Sequence, residues 1–262
     1  MEIVGHASGR ELLEGLSVVE ELVSLGIGVE LQLTGQVLDS FTYKDYGKVK
    51  ELAQELPITV HAPFMDLNPG ALEPYTLTAT RNRFKEVASA AKVLGAKVLV
   101  FHTGYHPQKV EPVYDAWFQR ALETFQEVAQ IYPGRIALEN VFDGSPQNLL
   151  SFLSRLPSNF GVCLDTGHIN LFSTVPLSEW FNSFGEKIFE FHVHDNDGVS
   201  DLHAPVGTGT FNFKEFFKLL ENLNSDYIFN LENKSPRAVR ESLEALRRYQ
   251  WKGKLESTPT KS

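Results

Sequence analysis

The sequence contains a single cysteine, Cys163, among its 262 residues. One cysteine cannot form an internal disulfide, which argues against a disulfide-stabilised secreted fold and favours a reducing compartment. No apolar run approaches the roughly 18 residues that a membrane-spanning helix requires. Met1 is followed directly by EIVGHAS, without the basic stretch and long apolar segment of a secretion signal. We therefore expect a cytoplasmic protein that has no membrane partner.

Basic residues are also fewer than acidic residues, which gives a formal net charge of −9 at pH 7. This balance argues against a broad basic surface for nucleic acid, although bound cations would create a local positive site. Hydrophobic residues make up 42% of the chain and include 19 phenylalanines, which is enough for a substantial core. A chain of this length suits one large α/β domain.

Short apolar runs rich in Val, Ile and Phe alternate with longer segments of helical spacing. The predicted strands are Ile3–His6, Val29–Leu33, Ile58–His61, Val98–His102, Ile136–Glu139, Val162–Asp165, Ile188–His192 and Tyr227–Leu231. Eight helices are predicted between and after them, the first presenting one apolar face from Leu12 to Val23. Connections of this length join parallel strands, and eight such units close into a (β/α)8 TIM barrel.

An open, doubly wound sheet is the competing α/β architecture. It is disfavoured because no GxGxxG motif follows the first strand, and because eight is the strand number of the barrel. No Pro- or Ser-rich linker divides the chain, so we expect a single-domain barrel over residues 1–255. Residues 256–262, ESTPTKS, are expected to form a flexible C-terminal tail.

Six successive strands, from the third to the eighth, end at or just before a residue that can bind a metal. These residues are His61, His102, Glu139, Asp165, His192 and Glu232. The carboxyl ends of the strands form the active-site face of a TIM barrel, so these side chains would face one another across its mouth. Carboxylates so close together would repel one another unless cations share them. Imidazole and carboxylate ligands without thiolate suit zinc, manganese or iron.

Any one of these residues, taken alone, is more often a packed core or loop residue than a metal ligand. Six of them at one register on one face would require six independent coincidences, so we expect a site for divalent metal ions at the barrel mouth. A second group follows the sixth and seventh strands and consists of His168, Asp201 and His203.

Seven short motifs occur in order along the chain. They are HAPF at His61, FHTG at His102, LEN at Glu139, CLDTGH at Asp165, FHVHDN at His192, DLHAPVGTG at Asp201 and LEN at Glu232. Together they resemble the xylose-isomerase-like barrel superfamily, and their order is similar to the endonuclease IV branch, AP endonuclease family 2. The resemblance extends from about His6 to Glu232. CLDTGH and the DLH that follows HVHD are specific motifs, whereas LEN alone is weak.

The resemblance implies three metal ions with nine protein ligands, zinc being favoured over manganese or iron. By motif, the first ion would be bound by His61, His102 and Glu139, the second by Glu139, Asp165, His192 and Glu232, and the third by His168, Asp201 and His203. Three divalent ions would outweigh the four carboxylates. Such a pocket attracts a phosphoester and lowers the pKa of a bridging water.

The function that this implies is phosphodiester hydrolysis by a metal-bound hydroxide, with Glu139 orienting the nucleophile. The loop after the second strand, TGQVLDSFTYKDYGK, has no arginine with which to enter a DNA groove. DTGH also departs from the DTCH pattern of the DNA-repair members. A small-molecule phosphodiester is therefore favoured over abasic DNA, although DNA stays a possible partner. HAPFMDLNPG and CLDTGHINLFS are similar to the cobamide-remodelling phosphodiesterases of the same superfamily.

A single-metal sugar or sugar-phosphate isomerase or epimerase is the alternative. Such an enzyme would need only the four ligands of the second ion, with Glu139 and Glu232 as its acid/base pair and His168 on a substrate oxygen. It has no evident need for His61, His102, Asp201 and His203 as a matched set, which favours the hydrolase. The sequence carries no signal for an oligomeric state.

Overall fold

The computed structural model describes residues 2–249, and its eight parallel strands close into a barrel in chain order. The strands are β1 (Glu2–Ala7), β2 (Gly28–Gln32), β3 (Ile58–His61), β4 (Val98–His102), β5 (Arg135–Glu139), β6 (Phe160–Asp165), β7 (Ile188–His192) and β8 (Ile228–Leu231). The predicted single-domain TIM barrel is confirmed. The predicted tail, residues 256–262, lies outside the described residues.

Eleven α-helices lie within residues 2–249, where eight were predicted. They are α1 (Gly9–Glu14), α2 (Ser17–Ser24), α3 (Gly35–Ser40), α4 (Tyr43–Ala53), α5 (Pro74–Leu94), α6 (Val113–Ile131), α7 (Gln147–Leu153), α8 (Thr166–Phe172), α9 (Leu177–Phe184), α10 (Phe213–Leu220) and α11 (Pro236–Arg248). Two of the three additional helices, α3 and α8, are single short segments on the active-site side of the barrel. The third arises because the first predicted helix is two helices.

The break between α1 and α2 has a local cause. Ser8 and Glu11 form a capping box, in which the Glu11 carboxylate accepts from the Ser8 backbone N–H at 3.0 Å, so a helix begins directly after β1. Gly15 then ends it with a φ of +137°, a conformation that a residue with a side chain rarely adopts. The prediction of one continuous helix from Leu12 to Val23 was therefore wrong.

Apolar side chains fill two separate layers. A small cluster inside the barrel includes Val4, Val100 and the single cysteine, Cys163. A larger cluster fills the space between the strands and the surrounding helices and buries the indoles of Trp117 and Trp180. Burial of each large apolar side chain contributes roughly 1.5–3 kcal/mol, so this outer layer is the main source of stability. Cys163 is free and buried, and burial raises the pKa of its thiol well above the usual range.

The barrel interior is not purely apolar, because polar side chains extend inward just below its mouth. Glu30 on β2, Thr59 on β3, Glu190 on β7 and Asn230 on β8 are all fully buried. None of the four lines the cavity described below, but Glu30 lies 3.3 Å from Nε2 of His192, which is buried behind that cavity. No helix among residues 2–249 has the length and apolar character needed to cross a membrane.

Candidate metal centre

All nine predicted ligands converge at the carboxyl ends of the strands. Seven of them line a cavity of about 560 Å³, namely His61, His102, Glu139, His168, Asp201, His203 and Glu232. Asp165 and His192 are fully buried directly behind these seven. The register of the sheet sets this arrangement, because β6 and β7 pair Asp165 with His192. A larger groove of about 990 Å³ lies outside the barrel, between α2 and α4, and none of the nine lines it.

Glu139 lies at the centre of the cluster and is 1% exposed. Its Oε2 is 3.2 Å from Nε2 of His61 and 3.4 Å from Nε2 of His102. Glu139 and these two histidines are the residues predicted to hold the first ion. Its Oε1 is 3.2 Å from Nδ1 of His168. Oε2 therefore faces ligands predicted for the first ion and also His192 of the second, at 3.5 Å, whereas Oε1 faces a ligand of the third.

His192 lies among the other three residues predicted for the second ion. Its Nδ1 lies 3.2 Å from Oε2 of Glu232, 3.5 Å from Oε2 of Glu139 and 3.9 Å from Oδ2 of Asp165. This buried nitrogen makes no hydrogen bond within the described residues. A nitrogen without a partner that faces three carboxylates is the arrangement expected of a divalent cation site, so the donor set fits zinc, manganese or iron.

The third predicted group lies at the edge of the cavity. Oδ2 of Asp201 is 3.0 Å from Nε2 of His203 and 3.7 Å from Nε2 of His168. These imidazoles outweigh the effect of partial burial and lower the pKa of the Asp201 carboxyl. His203 has a φ of +51° and is anchored through Nδ1, which is 2.9 Å from the backbone oxygen of Glu232. Strained backbone held by its surroundings is common at functional sites.

The DTGH motif is explained by the start of α8. Oδ1 of Asp165 accepts from the backbone N–H of His168 at 2.7 Å, so Asp165 caps the helix, while its other oxygen, Oδ2, faces the ring of His194 at 3.1 Å. Gly167 is required for a different reason. A Cβ at this position would lie 2.1 Å from the ring of His194, so a cysteine or alanine would displace that ring.

His194 lies two residues beyond the predicted ligand His192. Its side chain is fully buried, with Nε2 3.1 Å from Oδ2 of Asp165. Its ring stacks on that of His203, with centroids 4.1 Å apart and an interplanar angle of 4°. It therefore links the buried ligands to the third group.

Glu30 is the functional residue that the sequence analysis missed. Its Oε2 lies 3.3 Å from Nε2 of His192, the ring nitrogen that points away from the cavity. Its Oε1 is 2.9 Å from Nδ1 of His6 and accepts from Asn230 Nδ2 at 2.6 Å. Burial acts to raise the pKa of this carboxyl, but the charge and hydrogen bond of His192 outweigh it and lower the pKa to about 2. A charged residue in the middle of the apolar run IGVELQL was the available signal.

Comparison with known proteins gives one family. A model described as "Xylose isomerase-like TIM barrel" matches residues 19–249. An uncharacterized protein of Methanocaldococcus jannaschii is 33% identical over 207 residues, which are 74% of this chain and 70% of that protein. The crystal structure of a D-tagatose 3-epimerase-like protein superposes with a TM-score of 0.79 at 27% identity, over 95% of this chain and 97% of that one.

A third relative has a different activity in its name. A probable endonuclease 4 of Geobacter sp. strain M21 is 28% identical over 181 residues, which are 59% of this chain and 61% of that protein. Members of the superfamily are enzymes that include epimerases, isomerases and endonucleases, and members bind divalent metals. The model match covers most of the sequence and coincides with the barrel and its polar mouth. The chain therefore belongs to the xylose isomerase-like TIM barrel family.

Proposed function

We propose that this protein is a metal-dependent phosphoester hydrolase that acts on a small-molecule phosphodiester. The observation that carries the proposal is the convergence of all nine predicted ligands, and above all of the four that a single-metal enzyme would not need as a set. These four are His61, His102, Asp201 and His203. The imidazoles of His61 and His102 lie 3.2 and 3.4 Å from Oε2 of Glu139, and that of His203 lies 3.0 Å from Oδ2 of Asp201.

The components of the site have different roles. Divalent ions held there would supply positive charge for the phosphate oxygens and lower the pKa of water. Glu139 and Glu232 join neighbouring ligand groups, because each contacts Nδ1 of His192 and also a histidine of another group. Burial behind these side chains limits the access of bulk water, and electrostatic interactions are stronger where water is excluded.

A sugar epimerase is the second candidate, and one observation favours it. The D-tagatose 3-epimerase-like structure matches nearly the whole chain at 27% identity, whereas the probable endonuclease matches 59% of it. In that case Glu139 and Glu232, whose oxygens approach the same nitrogen of His192 at 3.5 and 3.2 Å, would be the acid/base pair.

Two assays on metal-loaded protein separate these candidates. We expect turnover of bis(4-nitrophenyl) phosphate, no cleavage of abasic duplex DNA, and no deuterium uptake at C3 of a ketohexose in heavy water. Substitution His203→Ala should lower phosphodiester turnover by about 100-fold or more, since it removes a ligand of the third group. Deuterium uptake without phosphodiester turnover would establish the epimerase instead. Glu139→Ala should abolish activity in both cases and serves as the shared inactive control.

A further inference from the structure

The two sides of the cavity differ in chemistry. Phe64 follows β3, Phe142 follows β5 and Phe172 ends α8, and all three line the cavity. Ser8 after β1 and Lys234 after β8 line it as well. Because the strands follow one another around the barrel in chain order, β5 and β6 lie across the mouth from β1 and β2. One side is therefore aromatic and the other polar.

The aromatic side is an ordered surface. The rings of Phe142 and Phe172 meet edge to face with centroids 5.2 Å apart, and His106 supports Phe142 at 5.3 Å. Phe64 stacks on the ligand His102 with centroids 4.3 Å apart. Phe142 is nevertheless 40% exposed and Phe172 is 36% exposed. Apolar surface left open inside a cavity is favourable only when a ligand covers it.

The shape and chemistry of this surface restrict what covers it. Aromatic faces and edges give stacking energy to a planar ring, but they donate no hydrogen bond to the hydroxyl groups of a small sugar. Lys234 is exposed on the opposite side, and its ammonium group has no ion pair within residues 2–249. An anionic group between the metal ligands and this ammonium would place its substituent towards the phenylalanines.

We propose that the substrate of this site is a phosphoester that carries a planar, largely apolar ring, and that Phe142 and Phe172 bind that ring. This inference rests on the proposed phosphoester function. Phe142 and Phe172 are then specificity residues, because they contact a part of the substrate that does not react. Lys234 binds an anionic oxygen of the same ester and does not distinguish one substituent from another.

The test compares phosphonates, which hydrolases of this kind bind but do not cleave. Binding of methylphosphonate, cyclohexylphosphonate and phenylphosphonate to metal-loaded protein is measured by calorimetry. We expect phenylphosphonate to bind about tenfold more tightly than methylphosphonate, with cyclohexylphosphonate between them. The double variant Phe142→Ala/Phe172→Ala should reduce the phenyl-to-methyl ratio to near one while methylphosphonate still binds. Tyr43→Ala, which removes an exposed aromatic residue at the start of α4, should leave the ratio unchanged.

The outcomes distinguish the inference from the function on which it rests. Equal binding of phenylphosphonate and methylphosphonate by the wild-type protein overturns the inference and leaves the phosphoester function standing. A phenyl preference that survives in the double variant also overturns it, because the ring is then bound elsewhere. If none of the three phosphonates binds to the wild-type protein, the phosphoester function fails and the inference fails with it.

Discussion

At the scale of single residues, the cavity depends on a carboxylate that does not line it. Glu30 contacts His192 at the ring nitrogen opposite to the one that faces Glu139 and Glu232. A carboxylate in this position fixes the tautomer and orientation of a metal-binding imidazole and increases its basicity. His6 and Asn230 hold Glu30 in turn, so three strands determine the direction of one ring.

Substitution Glu30→Gln tests this role. The glutamine keeps the shape of Glu30 but removes the negative charge 3.3 Å from Nε2 of His192, so we expect metal affinity to fall by about 10- to 100-fold, measured by competition with a chromophoric chelator. The visible spectrum of cobalt-loaded protein should change as well, because the orientation of His192 changes. Glu20→Gln, an exposed change on α2, is the matched control. Wild-type affinity and an unaltered cobalt spectrum in the Glu30 variant would contradict the proposed role.

Asp143, in the loop after β5, is a second buried carboxyl group. It is 2% exposed, and burial raises its pKa to about 6 in spite of hydrogen bonds from Asn148 and the backbone of Val141. The folded protein therefore holds this proton more strongly than the unfolded chain does. The stabilising effect is complete below the unfolded pKa of 3.8 and is lost as the pH rises through about 6.

Comparison of the wild-type protein with Asp143→Asn isolates this effect from all other titrating groups. The free energy of unfolding of the wild type, relative to the variant, should fall by about 3 kcal/mol between pH 4 and pH 7, since the pKa difference of about two units corresponds to that amount. Urea denaturation at a series of pH values measures it. A difference that is constant with pH would show that the carboxyl group is not perturbed in the folded protein.

Prediction from the sequence succeeded for some residues and failed for others for a physical reason. His61 and Glu232 follow apolar runs at strand ends, where the barrel fold alone dictates their direction. Glu30 lies inside a predicted strand with an apolar residue on each side. Because polar and apolar residues do not alternate there, the sequence does not indicate whether its side chain points into the barrel or away from it. The binding role of the nine residues remains a prediction until metal is measured.

At the scale of secondary-structure elements, the loop from Asn196 to Thr210 brings Asp201 and His203 to the site. Asp195, directly before this loop, is fully buried and organises it. Its carboxylate accepts from the backbone N–H groups of Gly209 at 2.8 Å and Phe211 at 3.1 Å. One side chain thus closes both ends of a long loop over the cavity.

Substitution Asp195→Ala should loosen this loop and leave the barrel intact. Backbone N–H groups lose their acceptor, at a cost of about 1–3 kcal/mol for each buried group. We expect amide hydrogen exchange in residues 196–210 to become at least about tenfold faster, with loss of one metal ion, while exchange in the strands does not change. Asp197→Ala, which removes a carboxylate that accepts from the backbone N–H groups of Val199 and Ser200, should speed exchange at those two residues and leave the rest of the loop and the metal content unchanged. Unchanged exchange in the Asp195 variant would exclude the organising role.

Sequence patterns predicted the regular elements better than the short ones. From the sequence, helices are predicted near Gln147–Leu153 and over Leu177–Phe184, and α7 and α9 have these bounds, because their apolar spacing faces the barrel. Two short helices, α3 and α8, were missed. Each begins at a side-chain cap, from Thr34 or Asp165, and neither shows a helical apolar period, because α3 buries Val37 alone and the buried residues of α8 are the consecutive positions 166–169.

At the scale of the whole molecule, closure of the barrel brings the nine predicted ligands together in one site. The predicted ligands come from the ends of six strands, from α8 and from the loop after β7, and the closed sheet places them around one cavity. The family relationship and the fold are compatible with both epimerases and endonucleases, so fold alone does not select the reaction. The number of metal ions that the cavity holds distinguishes the two reactions.

The most direct measurement is therefore the metal content of the purified protein, by elemental analysis and native mass spectrometry. The wild type should contain close to three divalent ions per chain, with zinc the favoured metal. His203→Ala should contain about two, because the residues at the strand ends are unaffected. A reproducible single ion in the wild type, with turnover unchanged in His203→Ala, would contradict the hydrolase.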